Sequence, residues 1–103
     1  MKRFLIAAAL ALLTACATPM QSSTFNDKAA QAMLGVTTLR QANTALLIAG
    51  KITVEQDKAR QAALDDVRAA VELARVKYPT NADEATLLLV AALNKLAAEK
   101  AKQ

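Results

Sequence analysis

Two interruptions constrain what this 103-residue chain can fold into: Gly50-Lys51-Ile52 and the step at Tyr78-Pro79-Thr80. On either side of them, apolar residues recur at three- and four-residue spacing, the period of a helix with one buried face. Glycine adopts the left-handed conformation that follows a helix end. Proline lacks the N–H that a continuing helix needs. The chain is thereby divided into three helical stretches.

The first helix is expected over residues 24–49. Ser23, Thr24 and Asn26 are all favourable N-cap types, and Asp27 suits the positive end of the helix dipole. Met33, Val36, Leu39, Leu46 and Leu47 form its stripe, with Ala32, Ala42 and Ala49 between them. Gly35 lies inside this helix at a cost of about 1 kcal/mol relative to alanine, which reads as room for a close neighbouring helix. The second helix is expected over 54–77, opened by a capping box in Thr53-Val54-Glu55-Gln56. Its stripe is Leu64, Val67, Val71, Ala74 and Tyr78. Glu55/Lys58, Asp57/Arg60, Asp65/Arg68 and Glu72/Arg75 place opposite charges three apart on the solvated side. The third helix is expected over 81–100, with Thr80 or Asn81 as cap and Leu89, Leu93 and Leu96 on one face. The last residues, Ala-Glu-Lys-Ala-Lys-Gln, read as a solvated end. Short connections make neighbouring helices antiparallel, so the predicted fold is all-α, a three-helix up-down-up bundle. A long helical hairpin that completes its core by oligomerising is the alternative, because a domain this small has little apolar surface to bury. Leu64, Val67, Val71, Leu89 and Leu93 are the expected core.

The residue inventory points away from chemistry. There is no histidine and one cysteine, Cys16. Zinc sites and Ser-His-Asp or Cys-His catalysis need residues this chain does not have. Asp65 and Asp66 are adjacent, so on a helix they point about 100° apart and share no site. Gly35 and Gly50 are too far apart for a phosphate loop. No catalytic, cofactor-binding or metal residue is assigned, and no enzyme activity is expected. Nucleic acid is not an expected partner either. Apart from Lys2 and Arg3, 11 basic residues face 9 acidic ones, with no block of like charge. Phe25 and Tyr78 are too few aromatics for base stacking.

Residues 1–15 are different in kind. Lys2 and Arg3 precede an uninterrupted apolar run over 4–13. Residues 4–15 number 12, against about 20 for a membrane-spanning helix. A basic n-region before a short apolar stretch is the layout of an export signal. It ends in Leu13-Thr14-Ala15-Cys16, which resembles the lipobox of bacterial lipoproteins: a leucine, two small residues, then the cysteine that carries the lipid. That resemblance implies cleavage before Cys16, a thioether-linked diacylglyceryl group and an N-acyl chain such as palmitate. Two or more acyl chains hold a protein stably on a bilayer, where one does so only marginally. Ala17, in place of the aspartate that retains Gram-negative lipoproteins in the inner membrane, implies the outer membrane, facing the periplasm. Residues 16–23 then read as lipidated terminus and tether, and 24–103 as the helical domain.

The remainder loosely resembles small alanine-rich helical proteins of bacterial envelopes and prophages, through Gly50-Lys51-Ile52-Thr53. Murein lipoproteins differ, being one heptad helix ending in a wall-linked lysine. Phage spanin lipoproteins also differ, being proline-rich. The expected function is a non-enzymatic binding or scaffold module in the envelope, with membrane lipid and a protein as partners and a homo-oligomer possible in principle. Prophage-encoded envelope interference (superinfection exclusion), or an accessory or inhibitor of an envelope enzyme, are the alternatives.

Overall fold

The computed structural model describes residues 20–103. Among them are three helices and no strand: α1 (Ser22–Ile48), α2 (Val54–Lys77) and α3 (Ala82–Ala101). They run up, down and up, and α3 packs most closely on α2 and least on α1. The two ends of the bundle are distinct. The proximal end carries the start of α1 and the α2–α3 turn. The distal end carries the α1–α2 turn and the end of α3.

The buried residues of α1 are Phe25, Ala29, Ala32, Val36, Leu39 and Asn43, at alternating steps of four and three. In α2 they are Leu64, Val67, Val71 and Ala74, at the same steps. In α3, Ala85, Leu89 and Ala92 continue the pattern. A 3.5-residue period keeps one face turned to its neighbours in the packing class of left-handed bundles. Alanine at many of these positions leaves Phe25, Leu64 and Leu89 as the largest wholly buried apolar side chains. Leu93, expected in the core, is only half-buried; it flanks the seam beside Ala92 and faces a groove described below.

Helix α1 begins earlier than its cap types suggest. Ser23, Thr24 and Asn26 lie within the helix, and the N-cap is Gln21, which makes no side-chain capping bond. Packing decides this. Starting the helix at Ser22 carries Phe25 into the seam, 1% exposed, with its ring 4.2 Å from that of Tyr78. A cap contributes about 1 kcal/mol, whereas burying an aromatic side chain contributes about 2–3 kcal/mol. Ser22 and Ser23, expected in the tether, are consequently helical.

The other termini follow local chemistry. Gly50 has φ +72°. Its N–H donates to the Leu47 carbonyl (3.0 Å) and that of Lys51 to Leu46 (2.9 Å), the paired bonds of a Schellman ending. A Cβ on Gly50 would meet nothing within 4 Å, so its requirement is purely conformational. Gly50→Ala should therefore cost about 1–2 kcal/mol in urea unfolding, with Gly50→Asn recovering much of it, since asparagine tolerates the left-handed region. At the start of α2 the capping box is complete: Gln56 N–H donates to Thr53 Oγ1 (3.1 Å) and Thr53 N–H to Gln56 Oε1 (2.8 Å). Asn81 caps α3, its Oδ1 accepting from Glu84 N–H at 3.1 Å.

The charge pattern departs from expectation. None of the four three-apart pairs on α2 closes among the described residues. Asp65 pairs with Arg40 of α1 and Asp66 with Lys95 of α3 at 3.0 Å. Arg68 reaches Glu72, four residues on, at 3.2 Å. Two adjacent carboxylates splayed by about 100° flank the seam on opposite sides, so each meets a different neighbouring helix. Residues 98–103 are exposed, as expected, apart from Glu99, yet the last of them still reaches back to the bundle. α3 runs to Ala101, Glu99 is buried, and Gln103 Nε2 donates to Asn43 Oδ1 at 2.6 Å.

Candidate functional site

Three places in the bundle hold more than core packing. The first is an open groove of about 430 Å³ between α1 and α3, lined mainly by Leu34, Gly35, Leu39, Leu93 and Leu96, with Gln31, Thr38 and Lys100 at its rim. It exists because α1 and α3 touch closely only over a limited contact. Gly35 makes that contact: a Cβ there would stand 2.7 Å from Leu96 Cδ2. The glycine is thus the small residue that a close helix approach requires, and Leu96 forms the groove floor. Leu34, 68% exposed, projects at the mouth. Among the described residues Lys100 has no ion-pair partner.

The second place is polar and lies at the distal end. Asn43, 2% exposed, occupies a seam position of α1. Its Oδ1 accepts from Gln103 Nε2 and, at 3.4 Å, from Arg60 Nη1. Glu99 is buried nearby in sequence to that end; its Oε2 meets Lys102 Nζ at 2.6 Å, and its Oε1 has no partner among the described residues. A polar residue on a helical seam fixes register at some expense in stability. Asn43 was findable from sequence, since it lies four after Leu39 and three before Leu46.

The third is a clamp at the proximal end. Met20 N–H donates to Thr86 Oγ1 at 3.1 Å, and Tyr78 Oη–H donates to the Met20 carbonyl. Thr86 is buried and the Tyr78 ring lies on Phe25. The chain is thus held by α2 and α3 two residues before α1 begins. Tyr78 packs at the bundle's end, as its place in the stripe predicted. Cys16, the predicted lipidation site, and the signal over 1–15 lie outside the described residues.

The polar groups that could have suggested chemistry are engaged elsewhere. Asp65 and Asp66 brace different helices. Glu84 pairs with Lys77 at 2.9 Å and accepts from Asn81 Nδ2. No group of three or more His, Cys, Asp or Glu residues converges on a metal-sized space among the described residues. No described helix is long and apolar enough to cross a membrane. The chain matches no protein family, no curated protein and no solved structure.

Proposed function

We propose that this chain is a lipid-anchored, non-enzymatic binding module of the bacterial envelope, held on the periplasmic face of the outer membrane through acylated Cys16. The anchor reading rests on Lys2-Arg3, the apolar run and Leu13-Thr14-Ala15-Cys16. The binding reading is carried by one observation: the α1 side presents an open apolar groove whose mouth residue, Leu34, is 68% exposed. Grooves of this kind take the apolar ridge of a helix. The even charge balance and the scarcity of aromatics support a protein in place of nucleic acid.

Both halves are testable in cells. Cys16→Ser should abolish labelling by an alkyne fatty acid, and wild-type labelling of that variant would end the anchor reading. Leu34→Lys should leave the melting curve nearly unchanged, because surface substitutions usually fall within about 0.5 kcal/mol. It should nevertheless abolish the crosslinked adduct formed by a photoreactive residue placed at Leu93. Undiminished adduct formation by Leu34→Lys would remove the groove as the binding surface.

A further inference from the structure

The outer face of α1 carries a second seam. Ala30, Leu34, Thr37, Gln41, Thr44 and Ile48 recur at steps of four, three, four, three and four, and all are exposed. This is the same 3.5-residue period that packs the bundle interior, on the side against which none of the described helices packs. The face is also free of charge. Between residues 29 and 49 the one charged residue is Arg40, which is turned to Asp65 of α2. The exposed sides of α2 and α3 hold nearly all the other charges. A merely solvated helix has no reason to exclude charge over five turns, whereas a face buried against another helix does.

The hydroxyls on this face are already satisfied. Thr37, Thr38 and Thr44 donate back to the carbonyls of Met33, Leu34 and Arg40, at 3.3, 3.0 and 2.9 Å. Covering the face therefore strands no hydroxyl, the usual penalty for burying threonine. Leu34 and Ile48, 68% and 82% exposed, are its large apolar members.

We propose that the occupant of this face is a second copy of the same chain, packed α1 on α1 in parallel. The proposal rests on the anchored binding-module reading and names its partner. Two arguments select a second copy. A two-fold interface brings each residue near its own counterpart, so like charges would repel; a charge-free seam is the pattern that self-pairing tolerates. The anchor then sets direction. Met20 is clamped at the proximal end, and Cys16, four residues earlier, lies within about 14 Å of it. Two copies in one membrane thus stand the same way up. In parallel register Leu34 meets Leu34, Ile48 meets Ile48, and the Gln41 amides meet between them, where a single polar seam pair fixes register. The seam extends about 27 Å. A seam of this length gains from co-anchoring, which raises the effective concentration of the pair.

Cysteine crosslinking in the intact envelope tests this. Leu34→Cys and Ile48→Cys, introduced singly into the otherwise unaltered chain, should each shift most of the protein to twice the monomer mass on mild oxidation, since a disulfide needs Cα atoms within about 7 Å. Val76→Cys, equally exposed but on α2, should stay monomeric, and so should the parental chain. Dimer from Gln41→Cys alone, with none from the other two, would mean an antiparallel pair and overturn the arrangement. An adduct of another mass would assign the face to a different protein, overturning the second copy while keeping the binding-module reading. Equal dimer from Val76→Cys, or none at any α1 position, would overturn the proposal outright. Dimer in the parental chain would reveal a free Cys16 thiol; the anchor reading would fail, and the parallel arrangement with it.

Discussion

Phe25→Ala lowers the unfolding free energy by about 3–5 kcal/mol, the usual range for deleting a buried aromatic ring. For a small domain this is a large fraction of the total, since about 0.05–0.15 kcal/mol per residue is typical. The cost is high here for an identifiable reason. α1 has no side-chain cap, and Phe25 is what holds its first turn on the bundle. The same ring supports Tyr78, whose hydroxyl fixes the Met20 carbonyl. Removing it opens a cavity in a seam whose next buried members, Ala29 and Ala32, are too small to fill it, and it loosens the clamp. Leu89→Ala and Leu64→Ala, both wholly buried, should each cost about 2–5 kcal/mol. Asp65→Asn and Glu72→Gln should each cost under about 1 kcal/mol, because both carboxylates are more than half exposed and exposed ion pairs contribute little. Ser23→Ala and Asn26→Ala should be nearly silent, although a true cap would lose about 1 kcal/mol. Urea unfolding of the set decides the matter. Charge variants that lose more than Leu89→Ala, or a silent Phe25→Ala, would overturn this ranking.

The breaks and the fold class were legible because they depend on backbone chemistry that single residues dictate. Gly50 supplies a left-handed position, Pro79 removes a donor, and Thr53 with Gln56 closes a box that needs no tertiary partner. The start of α1 was not legible, because Gln21 is a poor cap and three better ones follow it. Only the packing of Phe25 on Tyr78, the C-cap of another helix at the same end, explains why the helix begins where it does. The ion pairs were misassigned for a related reason. Spacing along α2 gives the neighbours each charge has on its own helix, but Arg40 and Lys95 belong to other helices. Asp65 and Asp66 were correctly separated by their 100° splay; what the splay aims at is a property of the assembled bundle.

The candidate surface shows the same division. Gly35 marks a close approach in the sequence, and Leu96 is the side chain that approaches. The groove beside them arises from the shallow contact of α1 with α3, which no pattern within one helix encodes. Asn43 and the seam through Ala30, Leu34, Thr37, Gln41, Thr44 and Ile48 were encoded. Both obey the 3.5-residue period, but a search for apolar residues passes over a stripe written in alanine, threonine, glutamine and asparagine. Absence of charge identifies that face better than hydropathy does.

A Cys16→Ser variant, re-routed through an ordinary cleavable signal so that it is still exported, should fold as the parent does and yet lose its activity at natural expression. The described bundle is built from residues 20–103, so helicity and melting temperature should be unchanged. The loss arises from geometry. On the proposed anchoring, with the chain clamped at Met20, the α1 face would stand within one molecular length of the bilayer, and every partner on that membrane would be met at the effective concentration of a short tether. Such linkage commonly contributes about 10²–10⁴ in apparent affinity without a new contact. Overexpression should therefore restore part of the function, because it replaces local concentration with bulk concentration. Crosslinked adduct at the α1 face, measured for matched anchored and unanchored proteins, provides the reading. Undiminished adduct in the unanchored protein would mean that the anchor plays no part in binding. The single changes Asp65→Ala, Asp66→Ala, Tyr78→Ala and Glu84→Ala belong in the same series. Each of these side chains has a structural partner, so each should alter stability at most. If one abolishes function while helicity and adduct formation stay intact, the chain performs chemistry, and the binding-module reading is wrong.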